Sequence, residues 1–311
     1  MARPYRLITR IDAPDAHHPV GPRSPYRRFV ARSHDGSRTV LLTAPRPGAD
    51  LVGFRAEAEA AQRLTAPWLL PVTDLSPSQG PNPAEAPSPL TPDDTWFVTP
   101  YVPVLPLPVA LAVHGGPLPE ATVRVIGAAL AETLAALHAQ GVTHAGVSPA
   151  AVLLSADGPL LTCFGAARAT AEVDHEAQAP ERAAERAAGE PPRPAGDVYG
   201  FGAVLAYAAT GHTVPERSEL PESLRAAVTA CLTRDPADRP TAAALLQAVA
   251  PPTPHETVLG SAATLLRPGW LPARVVAALA HQSASLLAVE QRPTSRTDSP
   301  SHANSPTLTG N

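Results

Sequence analysis

The sequence predicts an α+β chain in which a strand-rich part of about 100 residues precedes a helix-rich part of about 150. Three observations carry this. Residues 5–12, 27–32 and 38–43 are short, β-branched and apolar runs separated by turn signals such as Asp35-Gly36, which read as antiparallel strands. The helical period then dominates from Glu120 onward, where Val123, Ile126, Ala129 or Leu130, Leu134 and Leu137 share one face up to the cap signal Gly141. Strands and helices are thus segregated along the chain, not alternating.

Between the first strands and that helix, Phe54, Ala58, Ala61 and Leu64 mark one amphipathic helix over Gly53–Leu64. Leu69–Asp74 and Thr95–Tyr101 read as two more strands, completing a five-stranded sheet with one helix. Residues 75–94 hold six prolines and form an irregular insertion. Residues 101–108, from Tyr101 to Pro108, read as a rigid proline-rich connector, with a polyproline ligand as the other reading. Val152–Ser155 and Leu160–Cys163 flank Ala156-Asp157-Gly158 as a hairpin. Helical patterns return at Val198–Thr210, Leu220–Thr233 and Thr241–Val249. The domain plan is therefore 1–101, 102–250, a linker and C-terminal helix over 251–290, and a disordered tail over 291–311, where eight Ser or Thr and three prolines stand without an apolar cluster.

All 24 basic residues are Arg, so chemistry that needs an ammonium, such as a G-K-[ST] phosphate loop or a Schiff base, is excluded. The net charge is −4, and no long block of either sign points to nucleic acid or membrane. Cys163 and Cys231 have no Cys-x-x-Cys or histidine companions and read as core thiols, so no metal site is expected. His17 and His18 lack a third ligand and read as solvated. The N-terminal residues carry no apolar signal region, and a cytoplasmic location is expected.

The stretch Leu137-His138, Gly141-Val142-Thr143-His144-Ala145-Gly146-Val147-Ser148-Pro149 and Ala151-Val152-Leu153-Leu154 resembles the helix and catalytic loop of bacterial Ser/Thr protein kinases, L-H-x-x-G-[IV]-x-H-R-D-L-K-P-x-N-[IV]-L-L. Cys163-Phe164-Gly165 stands where that family has D-F-G. Gly196-Asp197-Val198-Tyr199 resembles its S-D-V-Y, and Cys231 to Thr241 resembles its C-L-x-x-D-P-x-x-R-P-T. Four landmarks in order, over about residues 5 to 250, imply a two-lobed protein kinase-like fold: a small antiparallel sheet lobe with one helix, a larger helical lobe, and a C-terminal helical extension.

The same resemblance implies ATP and Mg²⁺ as the family's cofactors and marks what is missing for them. The base of H-R-D is Gly146, the magnesium-binding asparagine is Ala151, the D-F-G aspartate is Cys163, and the strand-three lysine falls at Leu42. Ala145 and Ser148 replace two further polar positions, and the glycine-rich loop in Asp12–Tyr26 holds only Gly21 among four prolines. A thiol is a poor ligand for a hard cation, so ATP and Mg²⁺ are expected to bind poorly and no cofactor is expected.

Scaffold positions are kept. His144 retains the H of H-R-D, and Asp197 matches the aspartate that ties the loop down. Glu57 matches the helix glutamate, and Phe164 and Gly165 keep two letters of D-F-G. Thr99, Pro100 and Tyr101 match the hinge of the nucleotide cleft. Arg239 matches the buried arginine at the end of the activation segment. Its partner is expected at Glu185, twelve residues before Asp197, and not at Glu181 of the well-spelled Ala179-Pro180-Glu181, which sits too early.

The resulting expectation is a catalytically inactive kinase-like protein, a pseudokinase, that binds another protein such as an active kinase. The alternative is a degenerate Ser/Thr kinase with residual ATP binding or phosphotransfer through relocated groups such as Arg38, Arg46, Asp157 or Asp174. For a scaffold, the Val and Leu stripe over Trp270–Leu287 is either docked on the main core or offered to a partner.

Overall fold

The computed structural model describes residues 4–10, 26–77, 95–162, 177–249 and 262–290. The first strands, β1 (Tyr5–Arg10), β2 (Tyr26–Ser33) and β3 (Thr39–Pro45), form an antiparallel meander. With β4 (Asp74–Leu75) and β5 (Phe97–Pro100) they build one five-stranded sheet in the order β1-β2-β3-β5-β4. Asp35 makes the turn between β2 and β3: its carboxylate accepts from the Ser33 and Ser37 hydroxyls and the Ser37 N–H. Those hydrogen bonds hold its pKa down at about 2.

Helix α1 (Leu51–Gln62) crosses one face of this sheet, started by Asp50, whose carboxylate caps the Gly53 N–H. Phe54, Ala58 and Ala61 are its buried stripe, packing on Val72 and Phe97, with the Phe54 and Phe97 rings 5.4 Å apart. Leu64, expected inside the helix, lies past its end but still packs against that cluster. The strand expected over Leu69–Asp74 is much shorter: Leu69 makes only an isolated bridge to Leu161, and the ladder to β5 begins at Asp74. Leu75 therefore belongs to the sheet and not to the proline-rich insertion, most of which lies outside the described residues.

Three strands or helices ahead of the C-terminal segment were not anticipated. Leu105–Pro106 is a short strand, β6, and helix α2 runs from Leu107 to His114. Residues 101–108 are thus a connector that turns directly into a helix, with Pro108 in its first turn, where a missing N–H costs nothing. Helix α4 (Arg182–Ala188), described below, is the third.

Helix α3 (Glu120–Ala139) is the axis of the second lobe. Glu120 complements the positive helix start, and Gly141, in the left-handed region at φ 72°, follows its end. Twelve of its residues are buried, so its apolar character serves the core. Strands β7 (Val152–Ser155) and β8 (Gly158–Leu161) form the expected hairpin, with β6 paired to β7. Helices α5 (Pro194–Thr210), α6 (Glu222–Cys231) and α7 (Ala242–Val249) complete the lobe, and one continuous cluster centred on Ile126, Leu134, Leu154, Phe201, Leu205 and Leu245 forms its core.

The C-terminal segment is docked. Helices α8 (Ala262–Leu265) and α9 (Ala273–Glu290) follow the lobe, and Leu271, Val275 and Leu279 are buried in the main core. The Thr122 hydroxyl donates to the Trp270 carbonyl, the Trp270 indole to Ala156 O, and Arg274 to His114 O. Helix α9 packs on α2 and also reaches β1, so it spans both lobes. The stripe expected over Trp270–Leu287 is therefore largely spent inside the molecule, leaving Val276 and Leu287 exposed.

Candidate functional site

The loop from His144 to Ser148 is held from below by a single carboxylate. Asp197 lies in the first turn of α5, where the helix dipole favours a negative charge, and it is 1% exposed. Its Oδ2 accepts from the His144 N–H at 2.7 Å and from His138 Nε2–H at 3.0 Å, and its Oδ1 accepts from the Ala145 N–H at 2.7 Å. Ala145 is thereby fixed at φ 60°, a left-handed conformation that a non-glycine residue adopts only at a cost. The fully buried His144 donates from Nε2 to the Thr162 carbonyl at 2.8 Å, tying the loop to the end of β8. Gly200 allows the contact below: a Cβ there would collide with the Val147 carbonyl.

The positions that the resemblance gives to the base and the magnesium-binding asparagine are filled by small residues. Gly146 has no side chain at the base position, and Ala151, fully buried after the 3-10 turn of residues 149–151, offers no oxygen for a cation. Among the described residues no three His, Cys, Asp or Glu side chains cluster as metal ligands. The donor set present does not fit Mg²⁺, which takes oxygen ligands in octahedral array. Cys163, Phe164, Gly165, Asp174, His17, His18 and the segment around Gly21 lie outside the described residues.

The assignment of the lysine position to Leu42 is corrected by the register. Leu42 packs with Tyr5, Ala31, Val40, Ala44, Trp96 and Val98, on the sheet face away from α1. Residues directly opposite in an antiparallel pair share a face, and Thr43 stands opposite Phe97, which packs on α1. A lysine reaching a helix glutamate must leave β3 on that second face, so the position is Thr43, buried at 2% exposure. Glu57 is half-buried one turn after Phe54. Alternation gives Val40, Leu42 and Ala44 as one stripe, and only the packing of Phe97 on α1 identifies the other as the helix-facing one.

At the hinge, Thr99 and Pro100 end β5 and the Tyr101 N–H is used by Thr39 O. Pro100 has no N–H, so neither backbone donor is open to a ligand. Among the described residues, the buried hydroxyls of Thr99, Ser148 and Thr162 find no hydrogen-bond partner. Of the groups considered as replacements, Arg38 gives its N–H to the Ser33 hydroxyl in the β2–β3 turn, and Arg46 follows β3. Asp157 lines a recess with Leu266, Arg267 and Trp270 under the C-terminal segment.

The second correction concerns Arg239. Its guanidinium side chain is fully buried and all five donors are used: two on Glu181, at 2.5 and 2.9 Å, and the others on Thr233 O, Ala195 O and Arg234 O. Its carbon end stacks 5.0 Å from the Tyr199 ring. Burial alone would push the Glu181 carboxyl up; the bonds from Arg239 outweigh it and hold the pKa below the ordinary value. Glu185, the partner expected from spacing, is buried in α4 and bonds Arg182 at 3.3 Å and Arg193 at 2.9 Å instead. Helix α4 and its Gly189 cap lengthen the connection to Asp197, which is why a fixed spacing pointed to the wrong glutamate.

Cys231, at the end of α6, is buried, and burial pushes its thiol up to about 12.

No family model matches the chain. It is 33% identical over 273 residues to a probable serine/threonine-protein kinase, PkwA, of Thermomonospora curvata, covering 78% of this chain and 33% of that protein. It is 29% identical over 279 residues to the serine/threonine-protein kinase AfsK of Streptomyces coelicolor, covering 80% and 32%. The chain spans about a third of the length of these curated relatives. Among solved structures, the kinase domain of Mycobacterium tuberculosis PknI superposes with a TM-score of 0.59 at 21% identity, covering 79% of this chain and 95% of that one.

Proposed function

Because the chain belongs to the bacterial serine/threonine protein kinase family and has its two-lobed fold, we propose that it is a pseudokinase, a non-catalytic member that acts by binding another protein, an active kinase being one such partner. The observation that carries this reading is the loop of residues 144–148. Asp197 and His144 hold its backbone in the strained form a kinase needs, yet Gly146 and Ala151 leave that frame without base or metal ligand.

Phosphoryl transfer depends on positioning and on neutralising phosphate charge, and no lysine exists anywhere in the chain to help. The hinge supports the same reading, since Pro100 and the engaged Tyr101 N–H withdraw two backbone donors from any nucleotide. What remains is a rigid two-lobed surface, clamped by the C-terminal segment, suited to presenting contacts to a partner.

The test is thermal unfolding with and without millimolar ATP, in Mg²⁺ and in chelator, alongside transfer of labelled phosphate to itself and to generic protein substrates. No shift and no transfer are expected. A ligand at 100 times its dissociation constant would stabilise by about 2.7 kcal/mol, a rise of several degrees. A rise that requires Mg²⁺, or label transferred by the purified protein, would overturn the reading.

A further inference from the structure

The C-terminal segment is fixed along the first part of its length and lightly held along the rest. Its fixings begin at α8, where the Ala262 N–H donates to Glu132 Oε1 at 2.7 Å. They continue at Trp270, whose carbonyl accepts from the Thr122 hydroxyl at 2.6 Å, and at Arg274, which donates to His114 O at 3.2 Å. Leu271, Val275 and Leu279, spaced four apart on one face, are at most 5% exposed and belong to the core of the second lobe. Every one of these contacts falls on the second lobe.

Beyond Leu279 the helix changes character. Gln282, three residues after Leu279 and seven after Val275, lies on the same face, yet its Oε1 is buried with no hydrogen-bond partner. The Ser283 and Ser285 hydroxyls donate back to Leu279 O and His281 O of their own helix. Leu286 is half-buried and Leu287 is 56% exposed. Among the described residues, no side-chain hydrogen bond or ion pair joins residues 281–288 to another element. The first turn of α9 lies at the end of α2 away from the first lobe, since Arg274 meets His114, so the turns that reach β1 are the later ones. The half that bridges the lobes is therefore the half with the fewest fixings, and docking it strands an amide oxygen that water would satisfy on release.

We propose that α9 from Gln282 onward is a releasable strap between the lobes. Docked, it ties β1 to the second lobe; lifted, it frees the first lobe to move while Val275 and Leu279 keep the near half in place. Low local stability of this kind lets a segment open without global unfolding, and anything that binds the lifted face shifts the balance toward the open form. The strap does not depend on the non-catalytic reading, since it concerns how the lobes are held together and not what lies between them.

Native-state amide exchange on the full chain, read by mass spectrometry of peptides covering 273–279, 281–288 and β1, tests this. Gln282→Leu removes the stranded oxygen and should slow exchange in 281–288 and in β1 together by about tenfold, the weight of one unsatisfied buried polar group. Gln282→Glu places a charge there and should speed both by at least about as much. Residues 273–279 should keep their native rate in both variants. A change in 281–288 that leaves β1 unmoved would mean that the helix end only frays, and an equal change in 273–279 would mean that α9 docks as one block. Either result, or no change at all, would overturn the strap.

Discussion

Replacing Glu181 with alanine should unfold the second lobe more easily than replacing Glu185, although both glutamates lie within one short stretch and the latter is the more buried. Arg239 uses five donors, and removing Glu181 strands two of them inside a site where the side chain has no solvent contact. Breaking a buried pair from one side costs about 3–5 kcal/mol. The carbonyls of Thr233, Ala195 and Arg234 and the Tyr199 ring remain, which puts this case near about 3 kcal/mol, the lower end of that range. Glu185→Ala instead removes a single 3.3 Å contact from Arg182 and one contact from Arg193, which is 58% exposed and keeps Glu190, so it should cost less than loss of the two-pronged Glu181–Arg239 pair. Urea unfolding followed by tryptophan fluorescence reads the difference as a larger loss of midpoint at unchanged slope. By heat, the Glu181 variant should melt roughly 6–12 °C lower, at about 2–4 °C per kcal/mol for a lobe pair of this size. A Glu185→Ala loss equal to or greater than that of Glu181→Ala would refute the assignment. The pH dependence has a fixed sign. The folded pKa of Glu181 lies below its ordinary 4.5, so its stabilisation is complete above that value and disappears as pH falls through the folded pKa. Glu181→Gln should flatten the acid limb of the stability curve, its difference from the native chain vanishing at low pH.

Three further outcomes follow from the same packing. Asp197→Ala strands two loop N–H groups and releases Ala145 from its left-handed conformation, so it should cost about 3 kcal/mol and raise amide exchange at His144 and Ala145 specifically. Cys231, with its thiol pushed up to about 12, should resist a thiol reagent at pH 8 in the folded protein and react only on unfolding, as mass spectrometry of the labelled peptide would show. Leu279→Ala, at the docked face of α9, should cost about 2–5 kcal/mol if the C-terminal segment is part of the folded unit, read as a lower urea midpoint. An effect near zero would instead detach that helix.

The strand-then-helix order, the five-stranded sheet and the α3 helix were legible because each rests on a long periodic signal or a turn dipeptide. Where the reading went wrong, the missing information was three-dimensional. The choice of Leu42 over Thr43 turned on which face of β3 meets α1, and periodicity alone gives two stripes without naming the one that faces the helix. The choice of Glu185 over Glu181 trusted a residue count across a connection whose length is not fixed, although the local spelling Ala179-Pro180-Glu181 was correct. Helix α2 was hidden by its prolines and by an apolar composition with no polar face, since Leu107, Ala110 and Leu111 are buried. The approach of Arg182, Arg186 and Arg193 to Gly146 had no signature, because it forms only once α4 has folded against the loop.

The pattern of loss is itself informative about the proposed role. A chain drifting without function would be expected to lose costly features first, and the Asp197 clamp on a strained Ala145 is such a feature: a buried carboxylate and a left-handed non-glycine residue, each unfavourable unless the whole arrangement is present. Here the clamp is complete, down to the glycine at position 200 that lets the loop lie on α5. In the proposed role, the same Asp197 and His144 frame that positions a hydroxyl acceptor in an active kinase would hold a shaped loop surface for a partner, so retention of the frame and a side-chain-free Gly146 are compatible parts of one reading.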